Sequence, residues 1–156
     1  MTASCEWVDV GSGLKAYYGK PAGAGPHPCL VVYIEAFGVN EHFKKLTQRL
    51  ADEGFATITP DIYGGDTYSY EDLGNAIGKL KTMNDDVVMK QTEQCLDWLS
   101  HQSEADDQNL ELITTEKDYV KINDLNNIIN VLPIEMEINM KEKAVFKTFL
   151  KEKLNG

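Results

Sequence analysis

Apolar and polar positions run through the chain in two rhythms. Cys29-Leu30-Val31-Val32-Tyr33-Ile34 is an unbroken apolar, β-branched run after the turn-rich Gly23-Ala24-Gly25-Pro26-His27-Pro28. That pattern predicts a short strand buried in a parallel sheet. From Glu41 to Glu53 the period changes, with Phe43, Leu46 and Leu50 at i, i+3 and i+7 on a helix that Asn40 caps and Gly54 ends. Phe55-Ala56-Thr57-Ile58-Thr59 reads as the next strand. Strand, helix and strand in about 30 residues make a βαβ unit with parallel strands and a right-handed crossover. Two more helices are expected after it. Tyr70 to Leu80 is the weaker, because Gly74 and Gly78 each cost about 1 kcal/mol against Ala in a helix interior. Asp85 to Ser100 is the stronger, with Val88, Cys95 and Leu99, then Val87 and Trp98, on one side.

The last third continues the alternation. Leu110-Glu111-Leu112-Ile113-Thr114 predicts a strand, and Thr115 is placed to cap a helix with Asp118 three residues on, as in a capping box. Ile134, Met136 and Ile138 alternate with Glu135, Glu137 and Asn139, a half-buried strand that Pro133 favours placing at an edge. A final helix, Lys141 to Leu154, gathers Val145, Phe146, Phe149, Leu150 and Leu154 on one face. The expected fold is α/β: three layers, a mostly parallel sheet with helices on both faces, and the 110–114 strand hydrogen-bonded to the 29–34 strand.

Composition divides this picture. Of 156 residues and twelve glycines, eleven glycines precede residue 103, and only the terminal Gly156 lies beyond it. The polar run Ser103-Glu104-Ala105-Asp106-Asp107-Gln108 marks the boundary and reads as a solvated connector. Two parts are therefore expected, 1–102 and 103–156, the second packed on the sheet of the first because about 54 residues are marginal as a core alone. The net charge of -10 repels phosphate backbones, so nucleic acid is excluded as a partner. No apolar run reaches the roughly 18 residues of a membrane span. The N-terminal MTASCEWVDVG has neither a basic nor an apolar leader region, which points to the cytoplasm. Cys5, Cys29 and Cys95 show no CxxC or Cys/His spacing, so neither a disulfide framework nor a metal site is expected, and no cofactor.

Val31-Val32-Tyr33-Ile34-Glu35-Ala36-Phe37-Gly38-Val39-Asn40-Glu41-His42, then Leu50-Ala51-Asp52-Glu53-Gly54-Phe55 and Pro60-Asp61-Ile62-Tyr63-Gly64-Gly65, resemble the dienelactone hydrolase family of the α/β-hydrolase fold. The resemblance covers about residues 7 to 102, opening with a hairpin around Gly11-Ser12-Gly13. It implies that Glu35 occupies the position of a carboxylate that helps activate a nucleophilic Cys. It also implies that Ala36 supplies a backbone N–H to the oxyanion hole; a crevice for a small ligand is expected beside Glu35 and Phe37. One such donor is worth about 3 to 4 kcal/mol to the transition state. The implied ligand is a small ester or lactone.

The family next requires a strand ending in a G-x-C-x-G nucleophile elbow, then an acidic residue and a His. After Gln102 this sequence holds no Cys, no His and no Gly before Gly156. The chain is thus expected to be truncated before the elbow, its Glu35 vestigial and its hydrolase activity absent. In place of the elbow, Asn109 to Ile122, with its TTEKD run, and Val131 to Ile138 resemble the C-terminal end of tetraacyldisaccharide 4′-kinase, the lipid A kinase. No GxxxxGK[ST] accompanies them. The expectation is a hybrid chain. The alternatives are a non-catalytic α/β module for a small ligand or an interaction, a kinase-related fragment without its phosphate loop, and a fragment completed by a partner chain supplying Cys, Asp and His.

Each remaining candidate has a plainer reading that prevails. Cys29 and Cys95 read as core residues, His42 as a surface residue capping or pairing with Glu41 or Asp85, and His27 and His101 as solvated. Asp61 reads as an Asx-type turn. Thr114 and Thr115 end a strand without a base beside them, so capping is expected of them rather than nucleophilic chemistry.

Overall fold

The computed structural model describes residues 2–102 and, beyond them, the strand residues 105–106, 112–115 and 131–134. Residues 1–109 and 110–156 form two units. The first is built on a five-stranded sheet. Strand β1 (Ser4–Asp9) turns through the Gly11–Gly13 hairpin into β2 (Lys15–Lys20), and β3 (His27–Val31), β4 (Ala56–Pro60) and β5 (Ala105–Asp106) come next in chain order. The spatial order is β1-β2-β4-β3-β5, antiparallel across β1/β2 and β2/β4, parallel across β4/β3 and β3/β5.

Helix α1 (Glu41–Asp52) is the crossover of the βαβ unit. Its start is fixed by the Asn40 side chain, whose oxygen accepts from the backbone N–H of His42 at 3.0 Å and of Phe43 at 3.3 Å. The stripe it buries is Phe43, Thr47 and Ala51, with Leu46 and Leu50 half-buried beside it. The small residues sit at the centre because the sheet approaches closely there: a Cβ added at Gly19 of β2 would lie 2.9 Å from Ala51 Cβ and 3.1 Å from Thr47 Cγ2.

A short helix, α2 (Leu73–Leu80), starts three residues later than the expected Tyr70. Helix α3 (Asp85–Ser100) begins at Asn84, whose side chain accepts from Val87 N–H at 3.2 Å, and covers the face of the sheet opposite α1. Alternation along β4 separates the two faces. Ala56 and Ile58 join Ala16, Tyr18, Cys95 and Leu99 in the core under α3, where the Tyr18 and Trp98 rings meet edge to face at 5.0 Å. Thr59 turns the other way, toward Thr47 of α1. The stripe of α3 is Thr92, Cys95 and Leu99; Val87, expected inside, is 49% exposed.

The second unit shows a parallel pair, β6 (Leu112–Thr115) and β7 (Val131–Ile134). Among the described strands three of the five pairings are parallel. The α/β class and the layers of helix on sheet are as expected, but the expected neighbour of the first strand is not. The place beside β3 is taken by Ala105–Asp106, the run read as a solvated connector, while 112–115 pairs with 131–134. Strand pairing uses backbone groups, so an Ala-Asp dipeptide within a polar run can fill a place at a sheet edge that its side chains do not announce. The strand expected at 134–138 is centred earlier, on Val131–Ile134, and takes in Pro133. The helix to be capped by Thr115, the rest of the 134–138 strand and the 141–154 helix lie outside the described residues.

Candidate functional site

Strand β3 ends at Val31, earlier than the apolar run suggests. Val32 N–H still donates to Ile58 C=O at 2.8 Å, and then the chain leaves the sheet at its carboxyl end, where parallel strands of α/β proteins present their ligand crevice. There it forms a tight turn over Glu35-Ala36-Phe37-Gly38, closed by Gly38 N–H donating to Glu35 C=O at 3.4 Å. Gly38 is required at its end. Its φ of +76° is left-handed, and a Cβ there would press on the carbonyl of Asp66.

Two ties hold this turn. Ahead of it, the Tyr33 hydroxyl lies 2.6 Å from Thr92 Oγ1 of α3. Behind it, Tyr68 N–H donates to Phe37 C=O at 3.1 Å, and the Phe37 ring packs on Tyr70 with centroids 4.6 Å apart. The Glu35 side chain is exposed, and Ala36 and Phe37 are half-buried. Among the described residues Ala36 N–H forms no hydrogen bond. The turn thus brings the three expected residues together, with a carboxylate, an unused backbone donor and an aromatic wall in sequence.

The thiols lie elsewhere. Cys95 is fully buried in the core, and burial pushes its pKa up to about 12, so it stays a thiol at neutral pH. Cys29 sits within β3 opposite Ala56, and Cys5 is on β1, its pKa raised by burial and by the Asp52 charge. His42 is exposed, its ring edge-on to Phe43 at 5.4 Å, and Glu41 pairs with Lys44 instead, at 2.8 Å. His101 closes α3, with Nδ1 2.6 Å from Asp97 C=O. His27, expected in solvent, is half-buried and its Nε2 has no hydrogen-bond partner among the described residues, because β5 runs alongside it. Asp61 opens a main-chain turn, Gly64 N–H donating to its backbone carbonyl at 3.2 Å, where an Asx-type turn closed by the side chain is expected.

One concavity has no counterpart in the sequence pattern. A cleft of about 550 Å³ joins Ser12–Lys15, Asp61–Gly65, Gln91 and Gln94, residues from three distant stretches. Glu35 is not among its lining residues. Among the described residues no helix is long and apolar enough to cross a membrane.

The dienelactone hydrolase family pattern matches residues 14–113 of this chain. The match continues past residue 102, the expected end of the resemblance, into the stretch read as tail. A Yersinia pestis protein provisionally assigned as a carboxymethylenebutenolidase is 34% identical over 94 residues, 58% of this chain and 35% of that protein. An Azospirillum brasilense protein with the same provisional assignment is 46% identical over 55 residues, 35% of this chain and 23% of its own. The chain spans about a third of the length of the first of these relatives. Among solved structures, a provisionally assigned dienelactone hydrolase from Klebsiella pneumoniae superposes with a TM-score of 0.65 at 27% identity, over 74% of this chain and 50% of that one. A dienelactone-hydrolase-like promiscuous phosphotriesterase from metagenomic libraries gives 0.55 at 28%, over 73% and 48%. With its sheet, its crossover helix and its Glu35 turn in place, the chain belongs to the dienelactone hydrolase family.

Proposed function

We propose that this chain presents the oxyanion-donor side of a crevice for a small ester or lactone and binds such a ligand without hydrolysing it. The observation that carries this reading is the Ala36 N–H, left without an acceptor in a turn tied at both ends. Such a donor is preorganised for a carbonyl oxygen, and Phe37 provides an apolar wall for the rest of the ligand. Glu35 keeps the family's place but has no thiolate to assist. The sequence contains no G-x-C-x-G, and its one core thiol, Cys95, is held protonated by burial. Removing triad members leaves only the residual catalysis of binding and the oxyanion site.

The likeness of the tail to the lipid A kinase does not favour a second reading. It brings no phosphate-cradling loop, and the family match runs into it as far as residue 113.

The test pairs binding with turnover. Titration of a saturated γ-lactone should shift the Ala36 amide resonance, while hydrolysis of p-nitrophenyl acetate should match that of a Glu35→Ala variant. A Glu35-dependent rate above background overturns the non-catalytic reading. An unmoved Ala36 amide overturns the crevice.

A further inference from the structure

The Glu35 turn leans on a stretch of chain with no regular structure of its own. Residues 66–69, between the turn after β4 and helix α2, are neither helix nor strand. They support the turn in two places. Tyr68 N–H donates to Phe37 C=O at 3.1 Å, and the Gly38 backbone lies so close to the Asp66 carbonyl and the Thr67 Cα that a Cβ would not fit between them. Both contacts fall within two residues of Ala36, so the position of this stretch sets where the Ala36 N–H is aimed.

What holds the stretch converges on one side chain of α2. Lys79 Nζ donates to Asp66 Oδ2 at 2.6 Å, a charge-assisted bond. The same ammonium lies 5.6 Å from the centroid of the Tyr63 ring, within cation–π range, and Tyr63 in turn meets the Tyr68 ring edge-on at 6.4 Å. One cation thus serves both supports, Gly38 by way of Asp66 and Phe37 by way of Tyr63 and Tyr68. Lys79 stands in the last turn of α2, where a positive charge suits the helix end. That placement accounts for a Lys there, but not for its reaching back thirteen residues to the stretch under Gly38.

On the reading of the Glu35 turn as a ligand crevice, we propose that Lys79 is a positioning residue for the Ala36 donor, acting through Asp66 and the stretch 66–69. The Asp66 side chain is 55% exposed, so dissolved salt screens the pair and loosens the support. Binding of an uncharged lactone at Ala36 then depends on ionic strength, although the lactone itself carries no charge to be screened.

The test uses the ¹⁵N-labelled full chain, free and with γ-butyrolactone. In the free chain, Lys79→Met should displace the Ala36 amide resonance and speed exchange of the Tyr68 amide about two- to fivefold, the scale of a partly exposed ion pair. The Val32 amide, bonded to β4, should exchange as before. With the lactone, Lys79→Met should bind about two- to fivefold more weakly by the Ala36 amide shift, and Lys79→Arg should bind as the parent does. Asp66→Asn should match Lys79→Met, and the double variant should bind no more weakly than either. Added KCl should weaken binding to the parent and leave Lys79→Met unmoved, a pattern that a merely structural loss does not produce. Unchanged Tyr68 exchange in Lys79→Met, an equal loss in Lys79→Arg, or a salt response that survives in Lys79→Met overturns the role of Lys79. An Ala36 amide that the lactone never moves overturns the crevice instead, and the free-chain resonance and exchange still decide whether Lys79 aims the donor.

Discussion

Thr47 Oγ1 and Thr59 Oγ1 lie 2.8 Å apart in the dry layer between α1 and β4, both residues fully buried. The Thr47 hydroxyl also donates to Phe43 C=O at 2.9 Å, one turn back in its own helix, so that the Thr59 hydroxyl is the donor between the two. The pair lets a helix rest on a sheet where larger side chains would not fit, and it satisfies both hydroxyls.

Thr47→Val should therefore leave Thr59 without its acceptor and destabilise the chain by about 1 to 3 kcal/mol. Adding Thr59→Val should restore part of the loss, since two apolar groups of that shape leave no orphan. Urea unfolding of the two single variants and the double variant measures the coupling, and strictly additive losses would contradict it.

Gly19→Ala and Gly74→Ala should move stability in opposite directions. At Gly19 the new methyl meets Ala51 Cβ at 2.9 Å, and overpacking of that kind costs about 1 to 3 kcal/mol. At Gly74, within α2, nothing lies within 4 Å, and Ala should stabilise by about 0.5 to 1 kcal/mol. Thermal melts of the two variants settle the order.

Asp61 gives a pH signature. Burial raises its pKa, and the nearby Asp66 charge adds to the rise, while the N–H groups of Gly65, Tyr63 and Gly64 pull it partly back. A carboxyl whose folded pKa lies above its unfolded value supports the fold best when protonated. That support is present below the unfolded pKa and lost as pH rises through the folded one. Asp61→Asn should accordingly melt higher than the parent chain at pH 7, and the gap should close as pH falls into the carboxylate range. A gap that widens on acidification would reverse the assignment.

Cys95 should resist thiol reagents. With its pKa pushed up to about 12 in a closed core, it should react with Ellman's reagent at pH 8 only as fast as the chain unfolds. Cys5 and Cys29, both partly accessible, should react earlier. Mass mapping of the modified thiols over time distinguishes the sites.

Much of the fold is legible in local pattern. Asn40 and Gly54 bracket α1, and α3 runs over the expected Asp85–Ser100, because caps and helical period are short-range signals. The end of β3 is not legible in the same way. Cys29 to Ile34 is apolar throughout, yet the strand stops at Val31 and Tyr33 is 42% exposed, since pairing with β4 gives out there and apolarity alone does not mark that point. The pairing of Ala105–Asp106 with β3 is equally hidden. At the candidate site, Glu35, Ala36 and Phe37 are adjacent in sequence and so are legible together through the family resemblance. The cleft around Asp61 is not, because residues 12–15, 61–65 and 91–94 meet only once the sheet and α3 have formed.

The two ties on the Glu35 turn make it a span hung between separate supports. One end is fastened by Tyr33 to Thr92 on α3, the other by Phe37 to Tyr68 in the loop before α2. Releasing one fastening swings the turn about the other rather than freeing it. A small shift of α3 would thus re-aim the Ala36 N–H while Phe37 stayed on Tyr70, so the direction of that donor is set from a helix that contributes no residue to the turn.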